Sequence, residues 1–96
     1  MDCVSVEDFR AALGGYLDRA YLQHESIVVT RNGSPYVVLS PIPTKNIPTE
    51  QISAREIREQ TSKLLGQVHF QSVNILVMRR GKPIAILSSA AKRVKR

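Results

Sequence analysis

Three pairs of residues suited to binding phosphate or base edges recur at one interval. Arg10 with Arg58, Arg31 with Arg79 and Ser5 with Ser53 each lie 48 residues apart. Guanidinium and hydroxyl groups of this kind set a protein's position on duplex DNA through the backbone and read bases in the grooves. Arg80 and Lys82 stand beside Arg79, and the last six residues, AKRVKR, hold four more cations, Lys92 and Arg93 among them, suited to tracking phosphates. A solvated surface side chain is the ordinary reading of any one arginine. Retention of Arg at both equivalent positions, where most neighbouring residues differ, favours a binding role. Other chemistry is thin. His24 and His69 are not equivalent positions, and Cys3 is far from both in sequence, so no metal-ligand spacing appears. There is no glycine-rich phosphate loop and no nucleophile motif. We therefore expect no enzymatic activity, no cofactor and no metal.

The elements that must hold these residues are themselves duplicated. Residues 4–42 overlay 52–90 without a gap, and identical pairs include Leu17/Leu65, Gln23/Gln71, Val29/Val77, Gly33/Gly81, Pro35/Pro83, Leu39/Leu87 and Ser40/Ser88. Each copy opens with a short strand ending near a serine. Ser5 with Asp8 and Ser53 with Glu56 match the Ser-x-x-acid start of a helix. Apolar residues then follow at helical spacing: Phe9, Leu13, Tyr16, Leu17 and Ala20 in one copy, Ile57, Leu64, Leu65 and Val68 in the other. Gly14-Gly15 predicts a kink or a split in the first helix, with a smoother second copy. A hairpin closes each unit. Asn32-Gly33 suits a two-residue type I′ turn, whereas Arg80 tolerates positive φ poorly, so a longer loop is expected there. The tyrosines, Phe9 and Phe70 fall at core-like spacings, and Cys3 reads as a small buried residue of the first strand.

The strand runs IVV, YVVL, ILVM and IAIL are continuously apolar, which implies cover on both faces. A unit of about 40 residues hardly supplies that alone. The expected organisation is α+β: a first unit over 1–42, a Pro-rich linker over 43–50 and a second unit over 51–96 ending in the basic tail. The two would pack as an intramolecular pseudo-dimer with an antiparallel sheet and helices. Charge divides unevenly. Residues 1–48 hold four basic and five acidic residues, net −1, and residues 49–96 hold ten basic and three acidic, net +7. A basic half of this kind fits an anionic partner. No apolar run is long enough to span a bilayer, the N-terminus has no signal-peptide pattern, and a lone cysteine fits a reducing compartment, so a cytoplasmic location with no membrane contact is expected.

The stretches VSVEDFRAALGGYLDRA…IVVTRNGSPYVVLSP and ISAREIREQTSKLLGQV…ILVMRRGKPIAILS each resemble the N-terminal domain of Phd/YefM-type antitoxins, in the Ser-led helix with its arginine and in the Arg-x-Gly-x-Pro hairpin. The resemblance implies a dimeric DNA-binding fold that represses transcription at a palindromic operator within a toxin–antitoxin system. It assigns DNA contact to Ser5, Arg10 and Arg31 and to Ser53, Arg58 and Arg79, with Arg80 and Lys82 added by proximity. The second copy stands where that family carries its toxin-binding tail. The implied function is therefore a regulator of duplex DNA with an imperfect inverted repeat as target, acting as a monomeric pseudo-dimer or as a further homodimer. The alternative is a protein-interaction module on the same fold: an adaptor, an inhibitor, an assembly subunit or a toxin-neutralising antitoxin. The more basic second unit is expected to dominate affinity.

Overall fold

The computed structural model describes residues 2–90. Each half runs strand, helix, helix, strand, strand. The first contains β1 (Asp2–Ser5), α1 (Val6–Ala11), α2 (Leu13–Leu22), β2 (Ile27–Arg31) and β3 (Ser34–Ser40). The second contains β4 (Gln51–Ser53), α3 (Ala54–Glu59), α4 (Thr61–Gln71), β5 (Ile75–Arg79) and β6 (Lys82–Ser89). All six strands form one sheet in the order β1-β2-β3-β6-β5-β4.

The sheet is mixed and not antiparallel throughout, because β1 pairs with β2, and β4 with β5, in parallel. The two-helix segments between those strands are long enough for the crossover that parallel pairing requires. Pairing repeats at the 48-residue interval: Val4 faces Val29 as Ile52 faces Val77, and Ile27 faces Leu39 as Ile75 faces Leu87. The register shift after Val29 recurs after Val77. At the join between halves, Val38 faces Ser88, Leu39 faces Leu87 and Ser40 faces Ile86. Shifted by 48, that register maps onto itself about Leu39–Leu87.

Each helical segment breaks into two, but the break lies at Ala12 (φ −124°) and Gln60 (φ −131°), not at Gly14-Gly15, and the second half is no smoother than the first. Unlike residues bend alike, so tertiary packing and not glycine causes the break. Phe9 and Leu13, on either side of it, are both buried, as are Ile57 and Thr61. Thr61 replaces the leucine of the first copy and satisfies its hydroxyl by donating to the Ile57 carbonyl at 2.6 Å. Helices and sheet share one core, in which Phe9, Leu17, Val29, Leu39, Ile57, Leu65, Val77 and Leu87 are almost wholly buried. Val38, Leu76 and Ile86 alternate with these along their strands and are buried as well. Among the described residues no helix is long and apolar enough to cross a membrane.

Both hairpins close with two residues. Asn32 and Gly33 have φ of 52° and 79°, Arg80 and Gly81 55° and 75°, so the longer loop expected at Arg80 is not formed. The right-handed strand twist selects the primed turn, and flanking pairs such as Arg79–Lys82 hold Arg80 in the left-handed region. Two further expectations are corrected. Cys3 lies in β1 but is exposed, because β1 is an edge strand. Phe70 is 76% exposed near the C-terminal end of α4, past the last core residue, Val68.

Candidate nucleic-acid interface

Serine caps begin both short helices. Ser5 Oγ accepts from the Asp8 amide at 3.1 Å, and Ser53 Oγ accepts from the Glu56 amide at 3.1 Å. Glu56 returns the bond by accepting from the Ser53 amide, which completes a capping box; the shorter Asp8 forms none. The two carboxylates that oppose an anion at these positions thus sit in the first turns as helix-start residues.

Arg10 and Arg58, 48 positions apart, meet at the junction of the halves. Arg10 Nε donates to the Arg58 carbonyl at 3.3 Å, and both arginines line a groove of about 650 Å³ with Glu7, Glu59 and Lys63. A second groove of about 500 Å³ is lined by Ser5, Arg31, Asn32, Tyr36 and Ser62. Val6, Glu7 and Ser62 border both, so the grooves adjoin. The structure therefore brings Ser5, Arg10, Arg31 and Arg58 to one surface and adds Lys63, which sequence reasoning did not single out. Arg10, Arg31, Arg58 and Lys63 form no ion pair with a described residue.

Ser53, Arg79, Arg80 and Lys82 do not line these grooves. Arg79 pairs with Asp18 of α2 at 2.5 Å, and the Lys82 ammonium lies 5.6 Å from the centre of the Tyr21 ring. Arg31, its counterpart in the first half, has a neutral partner: Nη1 donates to the Tyr36 hydroxyl at 3.1 Å, and the guanidinium carbon lies 5.5 Å above that ring. Tyr36 stacks on His69, with centroids 4.4 Å apart, and the His69 Nδ1 lies 2.9 Å from the Tyr36 carbonyl. Each hairpin thus leans on the second helix of the other half. Lys92 and Arg93 lie outside the described residues.

A further arginine is structural. Arg19 bridges Asp2 on β1 and Glu25 before β2, with Nε donating to Glu25 Oε1 at 2.9 Å. Its hydrogen bond and charge hold the Asp2 carboxyl below its ordinary value, and the two carboxylates raise Arg19. Among the described residues no cluster of His, Cys, Asp and Glu could hold a metal ion. No family model, no curated protein and no solved structure matches this chain.

Proposed function

We propose that this chain is a sequence-specific duplex-DNA-binding regulator. In this reading two antitoxin-like units of the Phd/YefM type are fused as an intramolecular pseudo-dimer, and the target is an imperfect inverted repeat. The observation that carries it is the convergence of Arg10, Arg31, Arg58 and Lys63 on two adjoining grooves with no ion pair to a described carboxylate. Cations held open on one surface are what phosphate positioning needs, while the Asn32 amide and the Ser5 and Ser62 hydroxyls beside them can bond to base edges. Glu7 borders both grooves and Glu59 the first, and their charge sets a limit on non-specific affinity. Register symmetry about Leu39–Leu87 supports a two-halved target. With a longest dimension of 32 Å, one chain covers about one turn of B-DNA, or roughly 10 base pairs.

Anisotropy titrations of a labelled duplex taken from upstream of the chain's own gene test the reading. Arg10→Ala and Arg58→Ala should each weaken binding and reduce the salt slope by about 0.9. Parent-like affinity and slope in both variants would refute the assignment.

A second reading, a protein-interaction module, draws on another equivalent pair. Leu22 and Phe70, at matching positions of α2 and α4, are 67% and 76% exposed. Retention of a stoichiometric protein and no DNA in a pull-down from the native host would favour it.

A further inference from the structure

The hairpin arginines occupy equivalent positions but meet unlike partners. Arg79 reaches across the halves to the Asp18 carboxylate, and its side chain is only 31% exposed. The residue 48 positions after Asp18 is Gly66, so the first hairpin finds no carboxylate at the matching place. Tyr36 fills that space instead, since a β-carbon added at Gly66 would lie 3.3 Å from its hydroxyl. Arg31 rests on this tyrosine, a neutral partner that leaves its full charge available. The replacements form a matched set: Asp18 for Gly66, Ile84 for Tyr36, Lys82 for Ser34.

Resting on the DNA-binding reading above, we infer that Asp18 is an intramolecular latch that occupies Arg79 in place of a phosphate, so that of the equivalent pair Arg31 and Arg79 only Arg31 engages DNA. Asp18 is then a specificity-determining residue, because it makes the two halves of the target unequal. The net charge of +7 over 49–96 overstates what that half offers a duplex: one of its cations is neutralised across the junction. To bind through Arg79, a phosphate would have to displace a carboxylate already in place and approach against its charge.

The test is a double-mutant cycle read by duplex anisotropy over a salt series. Asp18→Asn should tighten binding roughly two- to fivefold, the range expected on freeing a partly exposed ion pair, and steepen the salt slope by about 0.9. In an Arg79→Ala background the same substitution should change neither quantity. Arg79→Ala alone should leave affinity within about twofold of the parent, while Arg31→Ala flattens the slope by about 0.9. The reciprocal change, Gly66→Asp together with Tyr36→Ile to clear the space that the tyrosine hydroxyl fills, should build the missing latch and weaken binding relative to Tyr36→Ile alone, as Arg31→Ala does, and it decides the matter if Asp18→Asn fails to fold. A gain from Asp18→Asn that persists without Arg79 would reduce the latch to general charge removal and overturn it. So would an unchanged affinity in Asp18→Asn, with Arg31→Ala still weakening binding; the DNA-binding reading would then stand alone. A parent that binds no duplex overturns both.

Discussion

The two hairpin turns differ in one residue that bears directly on backbone strain. Arg80 holds a φ of 55° at the position where Asn32 holds 52°, and the following glycines agree within a few degrees. An L-residue in the left-handed region pays about 1–2 kcal/mol from the crowding of Cβ against the next carbonyl oxygen, and Asn pays less through its local hydrogen bonds. The Arg80 side chain is exposed and makes no hydrogen bond or ion pair with another described residue, so nothing there offsets the cost. Arg80→Asn should therefore stabilise the fold by about 1 kcal/mol. For a domain of this size that raises Tm by about 4–8 °C. Thermal melts followed by far-UV circular dichroism give the shift, and urea titration should show a higher midpoint at unchanged m. Asn32→Arg should lower Tm by a similar amount. An Arg80→Asn protein that melts at or below the parent temperature would refute the strain reasoning. If Arg80 also touches phosphate, the substitution lowers the salt slope of duplex binding by about 0.9, so stability and affinity would move in opposite directions.

Two other substitutions probe the framework. Leu39 is fully buried at the pairing centre opposite Leu87, so Leu39→Ala should cost about 2–5 kcal/mol in urea unfolding, with loss of both halves in a single transition. Asp2, held below its ordinary pKa by Arg19, contributes stability that is present above the unfolded value of about 3.9 and is lost as pH falls through the lower folded value. Asp2→Asn should therefore leave the stability profile flatter below about pH 4, while an unaltered acid limb would show that the Arg19 contact carries no linkage.

What the sequence made legible was local or periodic. Ser5 and Ser53 announce helix starts because capping is a contact within three residues, and the apolar runs announce strands because burial is written into residue type. Asn32-Gly33 specifies its own turn. The misses share a different cause. Arg80 opposes its turn by propensity and is overruled by the ladder on either side. Gly14-Gly15 looks like the helix break, yet the bend at Ala12 and Gln60 is set by which side chains the core accepts. Cys3 and Phe70 are apolar enough for burial but stand on an edge strand and near a helix end, and neither position is visible from periodicity. Parallel pairing of β1 with β2 depends on where the chain returns after its helices. Of the site, the sequence offered Ser5, Arg10, Arg31 and Arg58 through the repeat alone; Lys63 escaped because the residue 48 positions before it is Gly15, so no cation recurs there.

The contacts that distinguish the two hairpins cross between the halves. Arg79 finds Asp18, Lys82 finds Tyr21, and Tyr36 finds His69, each joining a hairpin of one half to the second helix of the other. No repeat comparison reveals such pairs, because it aligns each residue with its counterpart and not with its partner. On the reading of two fused copies, such pairs are free to diverge. In a homodimer any change on the helix appears at both interfaces at once, so a carboxylate facing one hairpin arginine would face both. Within one chain Asp18 can face Arg79 while Gly66 faces Tyr36, on which Arg31 rests. On the fused pseudo-dimer reading, the sheet register stays symmetric where Leu39 faces Leu87, and the surface is free to become unequal. On the DNA-binding reading, that inequality is what a single-chain reader gains over two identical subunits: a target with two different halves and one possible orientation.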